Sequence, residues 1–405
     1  MKVLFLTQVL PYPPDSGPKV KTWNVIKSLA KDHDITLVSF VRGDQSADVA
    51  HLESICQAVH TIEIKRGMIR DLWALTVSFL TREPFLMVRD RRASMFHIVD
   101  QLCQETAFEI VHADQLNMAQ YALKVIGAHR VLDAHNALWL LYKRLCETMN
   151  PGLKKWILNR DWRLLSRYEG DICRTFDAIL AVSEEDRSAL EEVAGVQLPI
   201  KVIPISIDLK ENSTIKRRGS TERILHIGTM YWPANIDGVH WFLDEIWPLV
   251  RSRRNGVTFD IIGASPPKDL WQLNQDNSGV NVHGYVVDPT PFLEQAAMLV
   301  VPLRAGSGMR VKILNALAQG IPVVTSSVGC EGIHVISGRH LLIADDPETF
   351  ANAVIAILED NTLRDRLVSE GQELIRAKYD TRIVSTELSA MYYELINPEK
   401  NLNGS

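Results

Sequence analysis

Short runs of β-branched and other apolar residues recur along the first half of the chain, and each is followed by apolar positions at helical spacing. The runs are Val3–Thr7, Ile35–Phe40, Val59–Ile64, Glu109–Ala113, Val131–Ala134, Ala178–Val182 and Lys201–Pro204. Strands that alternate with helices in this way form a parallel sheet with helices on both faces. The pattern therefore predicts an α/β domain in the first half.

A second series of the same kind follows a polar, charged stretch at 205–221, which has no apolar period and is typical of a connection between two cores. Its runs are Ile224–Gly228, Thr258–Gly263, Val280–His283, Met298–Pro302, Ile321–Thr325 and Leu341–Ala344. A helical pattern at Ile383–Ile396 precedes an end that we expect to be frayed. The chain is predicted to hold two doubly wound α/β domains in tandem.

Composition narrows the function classes. At 405 residues the chain is long for one core, and its formal charge of −5 argues against a protein that coats nucleic acid. Five widely spaced cysteines suggest neither a disulfide framework nor a zinc knuckle, which favours a cytoplasmic protein. The longest apolar stretch, Leu72–Leu80, is much shorter than the roughly 20 residues that cross a bilayer.

The segment Pro302–Val324 carries the strongest chemical signal. It places Gly306, Ser307 and Gly308 between a predicted strand and a helix that begins with Arg310 and Lys312. Glycines let a backbone approach a ligand, and the free amides of a helix start attract anions. The segment is suited to bind a diphosphate, although a flexible turn with two solvated bases remains an alternative.

Two other loops follow strands in a similar way. In His226–Asn235, the amides of Gly228 and Thr229 are candidate anion ligands, and we expect Asn235 to cap the next helix. In Tyr12–Lys19, Gly17 precedes a helix and is suited to contact a phosphate or a sugar hydroxyl, unless the loop is only a rigid turn.

His135 ends a predicted strand beside Asn136, where an imidazole can bind hydroxyls or move protons. A structural histidine is the alternative interpretation. His112 has the same ambiguity, and neither histidine stands near a nucleophile elbow that would indicate a hydrolase triad.

A basic region lies between Thr61 and Arg167, with 16 Lys and Arg against 11 Asp and Glu. It contains a predicted helix at Pro151–Phe176 whose apolar side carries Leu153 and Trp156, with Trp162 on the opposite, basic side. Such a face is either solvated or rests on anionic lipid.

Several stretches, in their order and spacing, resemble the retaining glycosyltransferases of the GT-B fold, family four of the sugar transferases. They are YPPDSG, DAHN, RYEGDICRTFDAILAVSEED, HIGTMYWPANIDGVHWF and GSGMRVKILNALAQGIPVVTSSVGCEGI. The resemblance implies two facing Rossmann-like domains with a cleft between them. Residues 1–205 would bind the acceptor, residues 206–380 the donor, and a crossover helix with its tail, 381–405, would return to the first domain.

The resemblance also implies the reaction. A sugar would pass from a UDP- or GDP-sugar to a hydroxyl of a glycan, lipid-linked or small-molecule acceptor, with no metal and no other cofactor. His135 would lie beside the transferred sugar, and Arg310 with Lys312 would bind the diphosphate. The residues that it assigns to donor binding are Gly17, Gly228, Thr229, Tyr285, Val286, Gly306, Ser307, Gly308, Met309 and Asn315.

The chain departs from the family pattern in two ways. Ser307 and Asn315 occupy the positions of two glutamates that are separated by seven residues. A basic residue that often follows the second-domain loop is absent, and we expect Arg310 and Lys312 to replace it. A sugar-nucleotide epimerase or hydrolase could use the same fold and stays an alternative, and Asn315 keeps open a non-catalytic nucleotide- or glycan-binding homologue. A dehydrogenase is disfavoured because no strand leads into GxGxxG with a later acidic residue.

Overall fold

The computed structural model describes residues 1–216, 222–275, 278–306 and 308–397. The chain divides into two compact units, Met1–Ser206 together with the segment that begins at Thr381, and Ile207–Asp380. Ser307, part of the predicted connection (217–221) and most of the predicted frayed end (398–405) lie outside the described residues.

The first unit is built on a parallel sheet of seven strands, counted within its described residues, in the order β3-β2-β1-β4-β5-β6-β7. The strands are β1 (Lys2–Thr7), β2 (Asp34–Val41), β3 (Ala58–Glu63), β4 (Ile110–Asp114), β5 (His129–Ala134), β6 (Ala178–Ala181) and β7 (Ile200–Val202). Each predicted run of the first half overlaps one of them, with bounds that differ by up to two residues. The strand order reverses between β1 and β4, and ligands of such sheets bind at the carboxyl ends of the strands at this point.

Helices cover both faces of this sheet. They are α1 (Gly17–Leu29), α2 (Ser46–Glu53), α3 (Met68–Thr81), α4 (Phe85–Asp90), α5 (Ala93–Glu105), α6 (Leu116–Ala122), α7 (Leu138–Thr148), α8 (Leu153–Thr175) and α9 (Glu184–Ala194). The core strands are apolar on both faces, and β1 is buried from Val3 to Thr7. Ser183 caps α9 by accepting a hydrogen bond from the Asp186 amide, which fixes where the chain turns from β6 into that helix.

The second unit has a parallel sheet of six strands over its described residues, in the order β10-β9-β8-β11-β12-β13. The strands are β8 (Arg223–Ile227), β9 (Thr258–Ile262), β10 (Val280–Gly284), β11 (Met298–Val301), β12 (Val323–Thr325) and β13 (Leu342–Ile343). The helices are α10 (Pro233–Trp241), α11 (Trp247–Arg253), α12 (Lys268–Gln272), α13 (Thr290–Gln295), α14 (Val311–Gln319), α15 (Pro347–Glu359) and α16 (Asn361–Leu374). The prediction of two parallel, Rossmann-like sheets is confirmed.

The last helix, α17 (Thr381–Ile396), belongs to the first unit. Val384, Leu388, Met391 and Tyr392 are buried in the same apolar cluster as Val25 and Ile26 of α1. Burial of one apolar stripe at helical spacing is what holds a terminal helix onto a core.

The prediction for the long basic helix was wrong about its faces. Leu153 and Trp156 are exposed at the start of α8, whereas Trp162 is partly buried against the core. The Trp162 ring lies 6.5 Å from the Trp139 ring of α7, so a partner distant in sequence determines which side of α8 packs inward. Among the described residues, no helix combines the length and the apolar character that a bilayer crossing requires.

Candidate functional site

Two polar clusters, one in each unit, lie where the strand order of the sheet reverses. In the second unit this point falls between β8 and β11, which pair in parallel. The loop after β8 begins at Gly228, and the loop after β11 leads through Gly306 and Gly308 into α14. The two predicted anion loops therefore follow neighbouring strands and leave the same edge of the sheet.

Glycine is required at position 228 because neighbouring side chains lie very close to its backbone. A Cβ atom at this position would lie 2.6 Å from Lys312 Nζ and 3.1 Å from both Asn235 Nδ2 and His226 Nε2. Lys312 Nζ also donates to Asn235 Oδ1 at 3.3 Å, and Asn235 Nδ2 donates to the Thr229 carbonyl at 2.9 Å. The lysine of α14 thus reaches the glycine loop after β8.

The charge of Lys312 is poorly compensated in this surrounding. Burial, followed by repulsion from Arg310, lowers the pKa of Lys312 to about 7. Among the described residues, the hydrogen-bond partner of the Lys312 ammonium group is the neutral side-chain amide of Asn235. The electrostatics of this site therefore favour binding of an anion beside Lys312. A bound diphosphate would restore the preference for the charged form.

His226 borders the same loop. Its Nδ1 donates to the Val300 carbonyl at 3.0 Å, and burial together with the nearby Lys312 lowers the pKa of His226 to about 3. The neutral ring leaves Nε2 as an acceptor, and this buried atom has no hydrogen-bond partner among the described residues. His226 therefore adds no positive charge to the site, and its free lone pair faces the side of Gly228.

The second loop adds donors next to Lys312. Gly306 and Gly308 have φ angles of +139° and +78°, which favour glycine at both positions. The Arg310 side chain folds back to donate to the Gly308 carbonyl, and α14 begins at the next residue. The amides of Val311 and Lys312, the first two residues of α14, have no acceptor within the helix, so they and the helix dipole also attract an anion.

The other predicted donor-site residues of this unit are also located. Tyr285 and Val286 directly follow β10, and Tyr285 is exposed. Asn315 is half-buried and lies one turn after Lys312 on α14. The Met309 side chain is buried, so its backbone is the part suited to meet a ligand. Strand β10 lies two strands away from β8, about 10 Å along the edge of the sheet. This distance suits one nucleotide whose base lies beside β10 and whose phosphates lie beside β8.

Replacing Gly228 with alanine is expected to weaken the binding of UDP about tenfold with little loss of stability. The backbone there tolerates alanine, but the new Cβ must displace the Lys312 ammonium, at a cost of the order of one hydrogen bond to a charged group. Isothermal titration with UDP measures the change. Gly67→Ala is the control, because its Cβ would enter open space; equal affinities in wild type and Gly228→Ala would contradict the role of this approach.

The cluster of the first unit is centred on Asp114 at the end of β4. Its carboxylate accepts from Thr7 at 2.9 Å, from Thr22 of α1 at 2.9 Å, and from His135 Nε2 at 2.8 Å. With Nε2 donating, the His135 ring is held in one orientation, while its Nδ1 is buried without a hydrogen-bond partner among the described residues. His135 is therefore oriented by Asp114 and has one nitrogen available.

A second carboxylate, Asp133, lies at the end of β5. Burial alone would raise its pKa, but the ion pair with Lys21 and the nearby His112 and His135 together outweigh this and lower the pKa of Asp133 well below its ordinary value. His112 Nε2 is 3.6 Å from the same carboxylate, and His112 Nδ1 is 2.5 Å from the Tyr392 hydroxyl of α17. This chain of contacts ties α1, the sheet and the last helix together.

His112, Asp114 and Asp133 place one potential metal-ligand atom each within 4.8 Å of one another. The carboxylates already have partners, since Lys21 neutralises Asp133 and three donors surround Asp114. A divalent cation at this position would have to displace the buried ammonium group of Lys21 or lie beside it. We interpret His112, Asp114 and Asp133 as part of an ion-pair network that holds His135 in place.

Gly17 is the first residue of α1, and Ser16 precedes it as a cap whose side chain makes no capping hydrogen bond. Pro18 has no amide hydrogen, and Lys19 pairs with Asp15 at 3.1 Å. Helix α1 thus begins at Gly17, after the loop that follows the carboxyl end of β1, and the contact of Gly17 with a phosphate or a sugar hydroxyl stays a prediction.

The structure corrects one assignment and adds several residues. Asn235 is not a helix cap, because α10 begins at Pro233 and the Asn235 side chain instead joins Thr229 to Lys312. Sequence reasoning missed His226, Lys21 and the role of Asp114. One signal was available, since Asp114 is the last residue of β4 and Asp133 the last but one of β5, and these strands are neighbours in the sheet.

The chain is similar to known proteins over most of its length. The family model described as "Glycosyltransferase Family 4" matches residues 16–211, and that described as "Glycosyl transferases group 1" matches residues 221–360. An uncharacterized 44.6 kDa protein in the cps region of Klebsiella pneumoniae is 23% identical over 401 residues, which are 96% of this chain and 98% of that protein. The phosphatidyl-myo-inositol mannosyltransferase of Mycobacterium leprae is 29% identical over 44% of this chain and 47% of its own length.

Solved structures share the fold over nearly the whole chain. Sucrose-phosphate synthase from Thermosynechococcus elongatus has a TM-score of 0.72 at 15% identity, covering 98% of this chain and 100% of that one. Anabaena HepE, in its complex with UDP, has a TM-score of 0.70 at 14% identity, covering 97% of this chain and all of its own. The two family models together take in most of the chain, and the chain belongs to the family-four type of glycosyltransferases with the GT-B fold.

Proposed function

We propose that this glycosyltransferase moves a sugar from a nucleoside diphosphate sugar to an acceptor hydroxyl and retains the anomeric configuration. The observation that carries the proposal is the convergence of Lys312, Asn235 and the Gly228 loop beside the start of α14. Cationic and amide donors gathered around one glycine suit the diphosphate of such a donor. The resemblance to retaining enzymes supports the stereochemistry.

A UDP-sugar is the first donor class to test. HepE has been crystallised with UDP, with UDP and glucose, and with UDP-glucose, and its chain superimposes on nearly all of this one. GDP-sugars remain in the proposal as the second class. The exposed Tyr285 and the Val286 backbone after β10 are the residues that we propose to contact the base.

The residues of this chain have separate tasks in the proposed reaction. The bond between the anomeric carbon and the phosphate oxygen breaks, the acceptor oxygen bonds to the same carbon from the same face, and the acceptor proton passes to the leaving phosphate. Lys312, Arg310 and the first amides of α14 stabilise the charge that grows on this diphosphate. His135, oriented by Asp114, hydrogen-bonds a hydroxyl of the transferred sugar.

The acceptor is the second substrate of the proposed reaction. The name of the M. leprae relative refers to a phosphatidyl-myo-inositol acceptor, and it matches less than half of this chain. We propose a lipid-linked acceptor ahead of a free glycan or a small molecule.

Screening UDP-, GDP- and ADP-sugars by thermal unfolding tests the donor assignment. A donor at about 100 times its dissociation constant adds roughly 2.7 kcal/mol of stability, which raises the melting temperature of a domain of this size by roughly 5 to 10 °C. NMR of the product made with that donor and an acceptor then reads the anomeric configuration. An inverted product contradicts retention, and no stabilisation by any nucleotide sugar contradicts the donor class.

Transfer is expected to be independent of divalent metal, with rates in excess EDTA within about twofold of those in Mg²⁺, because amides and basic side chains act on the leaving diphosphate. Initial rates at equal ionic strength, with and without the chelator, measure this. A large loss in EDTA that Mg²⁺ or Mn²⁺ restores would contradict it.

A further inference from the structure

Helix α3 exposes an apolar face. Met68, Ile69 and Leu80 are 79%, 87% and 79% exposed, and Leu72, Trp73 and Phe79 are also exposed. These residues recur at helical spacing along one side of the helix. A contiguous apolar face of this size is unusual on a monomeric soluble protein and marks an interaction surface.

The orientation of α3 is determined by contacts on its other side. Ala74 and Ser78 are buried, and Arg160 of α8 donates to the Ser78 hydroxyl at 3.1 Å and to its carbonyl at 2.5 Å. Arg70 donates to the Arg91 carbonyl at 3.3 Å. The helix is thus anchored by its small and polar residues, and its apolar residues are left facing outward.

The start of α8 extends the same surface. Leu153 is 71% and Trp156 58% exposed, and the Trp156 ring stacks on Phe79 with 5.7 Å between centroids. The Arg160 guanidinium also lies over the Phe79 ring, 4.1 Å from the ring centroid. We call this surface the α3/α8 face; its members are Met68, Ile69, Leu72, Trp73, Phe79, Leu80, Leu153 and Trp156.

Positive charge surrounds the α3/α8 face. Segment 63–83 has four basic and three acidic residues, with Lys65 Nζ 3.6 Å from Glu63 Oε1, and segment 149–167 has five basic residues and one acidic residue. Lys65, Arg82 and Lys154 are exposed and stand within three residues of exposed apolar members of the face. A symmetric contact with a second copy would bring these cations together, which disfavours that occupant.

We propose that the α3/α8 face docks on the surface of a bilayer that contains anionic lipids. Apolar side chains of α3 and α8, two of them tryptophans, would enter the interface between headgroups and acyl chains, where indole rings are favoured. Lys65, Arg82 and Lys154 would remain at the level of the anionic headgroups. The proposal goes beyond sugar transfer, and binding can be measured without donor or acceptor.

Co-sedimentation of the full chain with vesicles tests this docking. Vesicles of equal phosphatidylcholine and phosphatidylglycerol are expected to bind the protein, and vesicles of phosphatidylcholine alone to bind it much more weakly. Ile69→Glu with Trp73→Glu is expected to reduce binding at least about tenfold. Replacing Lys65, Arg82 and Lys154 by glutamine is expected to reduce it by about fivefold per cation, in the order of a hundredfold together.

Ile126→Glu is the matched control, because Ile126 is 92% exposed on the same unit and lies outside the α3/α8 face. All of these side chains are exposed, so circular dichroism and thermal unfolding should match wild type. No binding to the anionic vesicles, or equal loss in Ile126→Glu, overturns the proposal. A dimer in sedimentation velocity that Ile69→Glu dissociates, without vesicle binding, would assign the face to a second copy instead.

Discussion

Replacing Lys312 with methionine is expected to weaken UDP binding about 10- to 100-fold, since a hydrogen bond to a charged group contributes about 1.5 to 3 kcal/mol. The value of kcat/KM for a UDP-sugar should fall further, by about 10²- to 10³-fold, because the leaving diphosphate gains charge in the transition state. Methionine keeps most of the side-chain volume and removes the charge, so the fold should remain intact. Titration calorimetry and initial rates measure the two effects.

The matched control is Lys378→Met, an exposed lysine of the same unit that is remote in sequence from the Gly228 and Gly306 loops. It should leave both UDP affinity and kcat/KM at wild-type values. Arg310→Ala should also weaken binding, although its side chain folds onto the Gly308 carbonyl and contributes partly through the loop. Unchanged affinity in both Lys312→Met and Arg310→Ala would remove the pair from the donor site.

The same lysine predicts how donor affinity depends on pH. In the free protein the pKa of Lys312 is lowered to about 7, so the ammonium loses its proton as pH rises through 7, whereas a bound diphosphate favours the charged form. Binding then takes up a proton above pH 7, and affinity for UDP-glucose should fall by up to about tenfold per pH unit there and stay level below pH 7. Lys312→Met should abolish this slope; a slope that persists in the variant would assign it to another group.

Replacing His135 with alanine is expected to lower kcat about 100-fold while UDP affinity stays within about twofold, because an orienting contact acts on the reacting sugar and not on the nucleotide. Asp114→Asn should give a smaller loss of kcat, about tenfold, since the amide still accepts one hydrogen bond but no longer fixes the imidazole through a charged one. Single-turnover rates and UDP titrations separate the two effects.

His129→Ala is the control for His135, because His129 is exposed and begins the same strand that His135 follows. It should have wild-type kcat. Asp114 is buried with three donors around it, so thermal unfolding must accompany Asp114→Asn. Loss of UDP affinity in His135→Ala equal to its loss of kcat would contradict a role confined to the sugar.

The strands were predictable because a parallel sheet buries both faces of each strand. Short runs such as Val131–Ala134 and Thr258–Gly263 are mostly apolar or β-branched, with one aspartate in each, so each marks a strand without any knowledge of its partner. The glycine loops were also visible in the sequence, because Gly228 ends such a run and Gly306 follows another one four residues after Pro302. The local sequence pattern was therefore sufficient to predict features that depend on interactions between residues close together in the sequence.

Features with distant partners were not predictable in this way. Trp162 packs inward beside Trp139, and Lys21 forms its ion pair with Asp133, which is 112 residues away in the sequence. Asn235 has the residue type of a helix cap, but Pro233 starts the helix earlier and frees its amide for Lys312. The outward apolar side of α3 reverses the usual amphipathic rule, because Arg160 holds the opposite side of that helix.

A crystal structure of the chain with UDP tests the central claim most directly. The account predicts the β-phosphate within hydrogen-bond distance, about 3 Å, of Lys312 Nζ and of the first amides of α14, with the base over the backbone of Tyr285 and Val286. An ordered nucleotide bound away from the carboxyl ends of β8 and β11, with Lys312 still donating only to Asn235, would contradict it.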